Sequence, residues 1–146
     1  MSKVLSVPDD PRAVPRPLPG ETPERAALSE SLRQVSALQN LRAGWNGSDA
    51  LPPAAESVRH ARLWLEAQWQ QCQSAGVHWC APNVTASAEG EVVFEWWAGN
   101  RSLIVYVEGD AAEFHQSLDG DGPTRHTHGE APLGEAQVDL MRWLSE

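Results

Sequence analysis

The feature that most constrains this chain is a change of hydrophobic period near residue 76. Up to that point apolar side chains recur at helical spacing; beyond it they alternate, in short runs cut by glycine-containing turns. Asn83–Ser87 is a weak strand, and Glu89-Gly90 follows it as a turn. Glu91–Trp97 (EVVFEWW) is a strong strand, Ala98-Gly99-Asn100 turns it back, and Arg101–Val107 (RSLIVYV) is the next. Gly109-Asp110 turns again into Ala111–Ser117. Strands this short, joined by loops this tight, predict an antiparallel meander of four strands.

Upstream, the pattern predicts two helices. The first spans Pro23–Ala43: Thr22 can cap it, Pro23 suits the first helical position, and Leu28, Leu32, Val35 and Leu38 share a face. Gly44 suits the left-handed position past its end. The second spans Pro53–Ser74 and ends at Gly76, with Ala54, Val58, Ala61, Leu65, Trp69 and Cys72 in one stripe and Trp64 at its edge. Residues 118–134 read as a long polar loop, and Glu135–Leu144 as a final helix. The expected fold is α+β: an N-terminal helical hairpin packed on a four-stranded antiparallel meander, with a C-terminal helix. Residues 23–146 form one domain. Residues 1–22 are a flexible tail, since residues 1–23 hold six of the eleven prolines and proline fixes φ and lacks an N–H.

Charge narrows the function classes. Residues 1–60 carry seven basic and seven acidic side chains, whereas residues 61–146 carry four against thirteen, which accounts for the whole net charge of −9. A nucleic-acid binder needs clustered cations to displace phosphate counterions, so direct nucleic-acid binding is not expected. No apolar run approaches the length of a membrane helix and no signal-like segment opens the sequence, so no membrane association is expected and the cytoplasm is the expected location. Cys72 and Cys80 are too few for a disulfide scaffold and are expected to be reduced.

Alternation divides the strands into two faces. Val92, Phe94, Trp96, Leu103, Val105, Val107, Ala112 and Phe114 form an almost wholly apolar set that should meet the helices. Glu91, Val93, Glu95, Trp97, Ser102, Ile104, Tyr106, Glu113 and His115 mix aromatics with carboxylates. Such a face needs a cover, either the C-terminal helix or the proline-rich tail, or else a partner. Residues 89–121 hold eight carboxylates and one arginine, a field that suits a basic protein. Glu91, Glu95, Trp97, Ile104, Tyr106 and Glu113 are the candidate contact residues, apolar anchors in a charged rim.

Signals for chemistry are thinner. His78-x-Cys80 and His126-x-His128 could each present two ligands, together the Cys-His₃ set that zinc accepts, although neither spacing is a finger pattern. Asp119-Gly120-Asp121-Gly122 resembles part of a calcium loop, with Ser117 two residues before it, but His128 stands where the closing glutamate belongs. Glu91, Glu95, Glu113 and His115 could do acid–base work only inside a cleft. There is no P-loop, no Gly-x-Ser-x-Gly and no dinucleotide-binding glycine set. No cofactor is expected.

Gly44-Trp45-Asn46-Gly47, then Pro52-Pro53 and a helix, then Gly90-x-Val92-x-Phe94-Glu95-Trp96, form a combination with a resemblance. It resembles small bacterial proteins with a Gly-Trp-Asp/Asn-Gly corner and a Leu/Phe-Glu-Trp strand, a group with no assigned activity that is associated with mobile or defence-related loci. The resemblance covers about Leu41–His115 and carries over no catalytic residue. Within that stretch Trp45, Asn46, Gly47 and Trp96 read as a structural corner: Trp45 follows the helix end, Asn46-Gly47 lets the chain reverse, and Trp45 is expected to lock the two helices to the sheet, against Trp96, with a ligand-binding corner as the alternative. The function expected from all this is a non-enzymatic interaction module, such as a subunit, antitoxin or immunity component, binding a basic protein or larger complex. Homo-oligomerisation through the sheet face is a further possibility. The alternative is a small metal-dependent enzyme using His78, Cys80, His126 and His128.

Overall fold

The computed structural model describes residues 22–133 and 138–146. Helix α1 (Pro23–Ala37), a 3₁₀ turn (Leu38–Asn40) and helix α2 (Ala55–Ala75) precede five strands, β1 (Asn83–Ala86), β2 (Val92–Ala98), β3 (Arg101–Glu108), β4 (Ala111–Leu118) and β5 (Arg125–Glu130). Helix α3 (Val138–Ser145) closes the chain. The strands lie in sequence order, each antiparallel to the next. The fold is α+β, with a five-stranded sheet where the sequence pattern predicts four.

Helix α1 begins as the sequence dictates, whereas α2 begins at Ala55, two residues past the predicted Pro53 and with no side-chain cap. Thr22 Oγ1 accepts from the Arg25 N–H at 3.1 Å, and proline follows it inside the first turn. At the other end of the pair, Gly76 takes φ 69°, and the Val77 and Gly76 amides close onto Cys72 and Gln73 carbonyls. The first helix stops at Ala37, well short of the predicted Ala43. Gly44 accordingly is no helix cap: its amide donates to the Ala50 carbonyl at 2.8 Å inside a long connecting loop. Helices α1 and α2 touch along their lengths, through Gln73 Nε2 donating to Glu24 Oε2 (3.0 Å) and through the Arg62 guanidinium donating to Ser36 Oγ.

The core lies between these helices and one face of the sheet. Trp64, Leu65, Trp79, Val92, Phe94, Leu103, Val105, Val107, Met141 and Leu144 are all buried in it. Trp64 sits at its centre rather than at the edge of the helix stripe; its ring stacks on Phe94 at 5.8 Å and tilts against Trp96 at 6.4 Å. Buried indoles need acceptors. Trp64 Nε1 donates to the Ala131 carbonyl (2.9 Å), Trp79 Nε1 to Gln68 Oε1 (3.1 Å) and Trp96 Nε1 to the Cys80 carbonyl (2.8 Å). The Trp79 bond explains why a polar residue, Gln68, is fully buried on α2 where the sequence stripe passes instead through half-exposed Trp69.

Strand β5 falls within the stretch read from sequence as loop. Its residues, RHTHGE, are polar on both faces and largely exposed, so no alternation betrays it. What makes it a strand is pairing with β4, in the register Phe114↔Gly129 and His115↔His128. Gly129 leaves room for the Phe114 ring: a Cβ would stand 2.9 Å from Phe114 Cε1, so the ring would have to shift to admit one. The Asp119-Gly120-Asp121-Gly122 run, the calcium-loop fragment of the sequence, lies in the β4–β5 turn, where Asp119 Oδ1 accepts from Thr124 Oγ1 at 2.7 Å. The proline-rich segment 1–21, and residues 134–137 at the predicted start of the last helix, lie outside the described residues.

Candidate interaction face and neighbouring sites

All three helices lie on one side of the sheet. The core buries Leu28 and Val35 of α1, Trp64 and Leu65 of α2, and Leu140, Met141 and Leu144 of α3 with the inward side chains of β2 and β3. The C-terminal helix, one of the two covers that the sequence offers for the other face, therefore does not lie over it, and no described helix does.

On that open face the register lays out rows that cross the strands. One row runs Asn83, Glu95, Ile104, His115, His128; the next runs Thr85, Val93, Tyr106, Glu113, Glu130; a third runs Trp97, Ser102, Ser117, His126. The candidate residues Glu95, Trp97, Ile104, Tyr106 and Glu113 thus project together, and Glu91 precedes β2 in the same phase. Trp97 is 63% exposed, against 3% for Trp96 beside it. Ile104 and Tyr106 are half-buried among their neighbours. The Tyr106 ring meets His115 edge-on at 5.4 Å, and His115 stacks on His128 at 5.8 Å.

The electrostatics of this face are one-signed. Glu91, Glu95, Glu113 and Glu130 project from it or beside it. Alternation sends both arginines of the sheet, Arg101 and Arg125, to the helix side. There Arg101 is fully engaged: Nη1 donates to the Trp143 carbonyl at 2.8 Å and lies 3.4 Å from Glu146, and the guanidinium sits 5.0 Å over the Trp143 ring. Among the described residues no lysine or arginine projects from the strands of the open face. Tyr106 registers the result. Partial burial, and then the carboxylates Glu91, Glu95, Glu113 and Glu89, push its hydroxyl above the ordinary tyrosine range.

The corner at Trp45 is built differently from its expectation. Asn46 Oδ1 accepts from the Ser48 and Ala50 amides, and Gly47 takes φ 84° to reverse the chain. Trp45 Nε1 donates to the Leu51 carbonyl at 2.9 Å, while the Leu51 amide donates to the Ala88 carbonyl at 2.8 Å. Trp45 therefore clasps its own loop, and the loop reaches the β1–β2 turn through the Leu51 backbone. Trp96 packs elsewhere, against Trp64 and Phe94. Trp45 is half-exposed and is not among the side chains packed on the core.

The two metal-candidate pairs are not brought together. His78 lies 3.2 Å from Glu24, and exposed Cys80 stands just before β1, at one edge of the sheet. His126 and His128 are on β5, at the opposite edge. Four strand spacings of about 4.8 Å put nearly 20 Å between those edges, far beyond any shared ion. The histidine nearest the β5 pair is His115, which the sequence offers only for acid–base work. Its Nε2 lies 3.0 Å from Glu113 Oε1, both side chains being largely open to solvent.

A separate cleft of about 660 Å³ lies where the end of α1 meets the start of α2, lined by Ser36, Gln39, Ala55, Glu56, Val58, Arg59 and Arg62. It is open and holds two arginines, Arg59 and Arg62, of the kind that the open face of the sheet lacks. Among the described residues no helix is long and apolar enough to cross a membrane. No known family, curated protein or solved structure matches the chain.

Proposed function

We propose that this protein is a non-enzymatic interaction module whose open sheet face docks a basic protein. Glu91, Glu95 and Glu113 supply the charge, and Trp97, Ile104 and Tyr106 the apolar anchors. One observation carries the reading: a sheet with helices on one side leaves exposed Trp97 and four carboxylates on the other, with no cation from the strands beside them. A partner rich in lysine or arginine would gain from that field in on-rate and in specificity. Aromatic anchors ringed by charge match the anatomy of interface hot spots.

On this reading the N-terminal helices, taken as a hairpin, are the scaffold and the sheet is the working surface. The resemblance at the Trp45 corner and the Phe94-Glu95-Trp96 strand favours a role in the cytoplasm as a subunit, antitoxin or immunity component of a bacterial defence or mobile-element system. An inhibitor that mimics nucleic acid is one form of it.

The test is capture of the partner from the source cells with tagged bait, read by mass spectrometry, beside a Glu95→Lys/Tyr106→Ala variant whose fold is verified by circular dichroism. Retention of a basic protein by the wild type and its loss by the folded variant is the expected result. Equal retention by both places the interaction elsewhere and overturns the reading. Light scattering separates self-association through the same face, which would appear as a concentration-dependent dimer abolished by the same variant.

A further inference from the structure

We propose that the β4–β5 end of the open face is a divalent metal site built from His115, His126 and His128, with donors that suit zinc(II). The inference is independent of the docking reading, and its test uses the isolated protein.

The placement comes from the backbone. His115 on β4 is directly opposite His128 on β5, and His126 is two residues away on the same face of β5. Directly opposed residues have Cα atoms about 4.5–5.5 Å apart. Residues two apart on a strand are separated by about 6.6 Å, and the diagonal is about 7–8 Å. Three imidazoles rooted on a triangle of that size can converge on one ion about 2.0–2.1 Å from each nitrogen. A histidine-x-histidine strand with a third histidine across the ladder is thus a compact imidazole set, and imidazole favours zinc, copper and nickel over magnesium or calcium.

The surroundings fit the same chemistry. Three of the five histidines of the chain fall on this one patch. Beyond them Glu113 and Glu130 oppose each other directly, an arrangement of like charges that is unfavourable unless a cation lies nearby. Either carboxylate could complete a fourth position. His126 Nδ1 is already held by Ser117 Oγ at 3.1 Å, which orients its ring as outer partners of metal-bound histidines do. Gly129 lets Phe114 lie beneath β5 and so holds the register that sets His128 opposite His115.

As the side chains stand, no group of three or more histidine, cysteine, aspartate or glutamate residues among the described residues is placed to hold a metal ion. The rings of His115 and His128 lie stacked, 27° from parallel. Closing on an ion therefore requires at least one of them to turn, and solvent-accessible side chains change rotamer in picoseconds to nanoseconds. The patch carries the site in its backbone, and the ion would select the rotamers.

Calorimetric titration of zinc chloride into the metal-free, untagged protein tests this. One equivalent is expected to bind, with affinity reduced at least about tenfold in each of His115→Ala, His126→Ala and His128→Ala. His78→Ala and Cys80→Ser should leave it unchanged. All five positions are solvent-accessible, and circular dichroism will verify that each variant is folded. Binding weaker than about 1 mM, affinity unchanged by the three histidine substitutions, or loss of binding in Cys80→Ser would each overturn the assignment.

Discussion

Trp64→Phe isolates one bond at the heart of the fold. Trp64 is fully buried, stacked on Phe94, and its Nε1 donates across the core to the Ala131 carbonyl at 2.9 Å. Phenylalanine keeps much of the stacking surface but offers no donor, so a carbonyl on a residue only 3% exposed loses its partner. An orphaned buried acceptor costs about 1–3 kcal/mol, and the smaller ring adds a cavity penalty of about 1 kcal/mol. The sum, about 2–4 kcal/mol, compares with about 3–5 kcal/mol for Trp64→Ala, which removes the ring as well. The Ala131 amide is bonded to the Ala112 carbonyl at 2.9 Å, so the same carbonyl–indole bond steadies the exit from β5. Urea unfolding followed by far-ultraviolet circular dichroism gives the stability loss. Hydrogen exchange should show protection falling first in residues 125–131. A loss under about 0.5 kcal/mol, the range of ordinary surface substitutions, would refute the reasoning, because it would mean that the indole N–H is not holding Ala131.

Other perturbations separate the two faces of the sheet. Trp97→Ala should change stability by less than about 0.5 kcal/mol, because the side chain is 63% exposed, and should weaken partner retention in the capture assay. Gly129→Val should cost about 1–3 kcal/mol in chemical denaturation, through collision with Phe114, with the loss in exchange protection confined to β4 and β5. Cys72 is buried, and its thiol is pushed up to about 11, mainly by that burial. Its folded pKa lies above its unfolded value, so the associated stability is complete below about pH 9 and is lost as pH rises toward 11. Cys72→Ala should flatten the fall in melting temperature over that window. Trp45→Ala should cost about 1–2 kcal/mol, less than a core tryptophan, because it removes one loop-closing bond from a half-exposed ring.

The elements with strong periodicity are legible in the sequence. Three of the five strands carry alternating apolar residues, and glycines at positive φ mark the turns that join them. The assignment of Val92, Phe94, Trp96, Leu103 and Val105 to the core face follows directly from that alternation. Strand β5 does not, because nothing on either of its faces is apolar; its existence depends on backbone pairing with β4, which a one-dimensional pattern does not contain. The burial of Gln68 is illegible for a related reason. A residue that looks solvated becomes core only because Trp79, in a loop with no period, brings a donor to it. The end of α1 is not legible either: Gly44 suits a helix cap, but its left-handed φ of 77° serves the loop that Trp45 and Asn46 close, and the helix stops at Ala37.

The candidate face divides in the same way. Glu95, Trp97, Ile104, Tyr106 and Glu113 are placed together by their phase in β2, β3 and β4, as alternation implies. That Arg101 turns away from this face is also implicit in its position, although its engagement by α3 is not, and the side taken by Arg125 follows only once β5 is in place. The histidine cluster is visible only with β5 in place, since His115 and His126 are separated by a turn that reads as an unstructured loop.

Carboxyl footprinting of the free protein and of the complex captured from source cells tests the central claim most directly. Carbodiimide labelling, read by mass spectrometry, reports the accessibility of each glutamate and aspartate. If the open face is the docking surface, Glu95, Glu113 and Glu91 are protected in the complex, while Glu56 beside the helical cleft and Glu66 on α2 label equally in both states. Protection of Glu56 with unchanged labelling of Glu95 and Glu113 would contradict the account and place the interface among the helices.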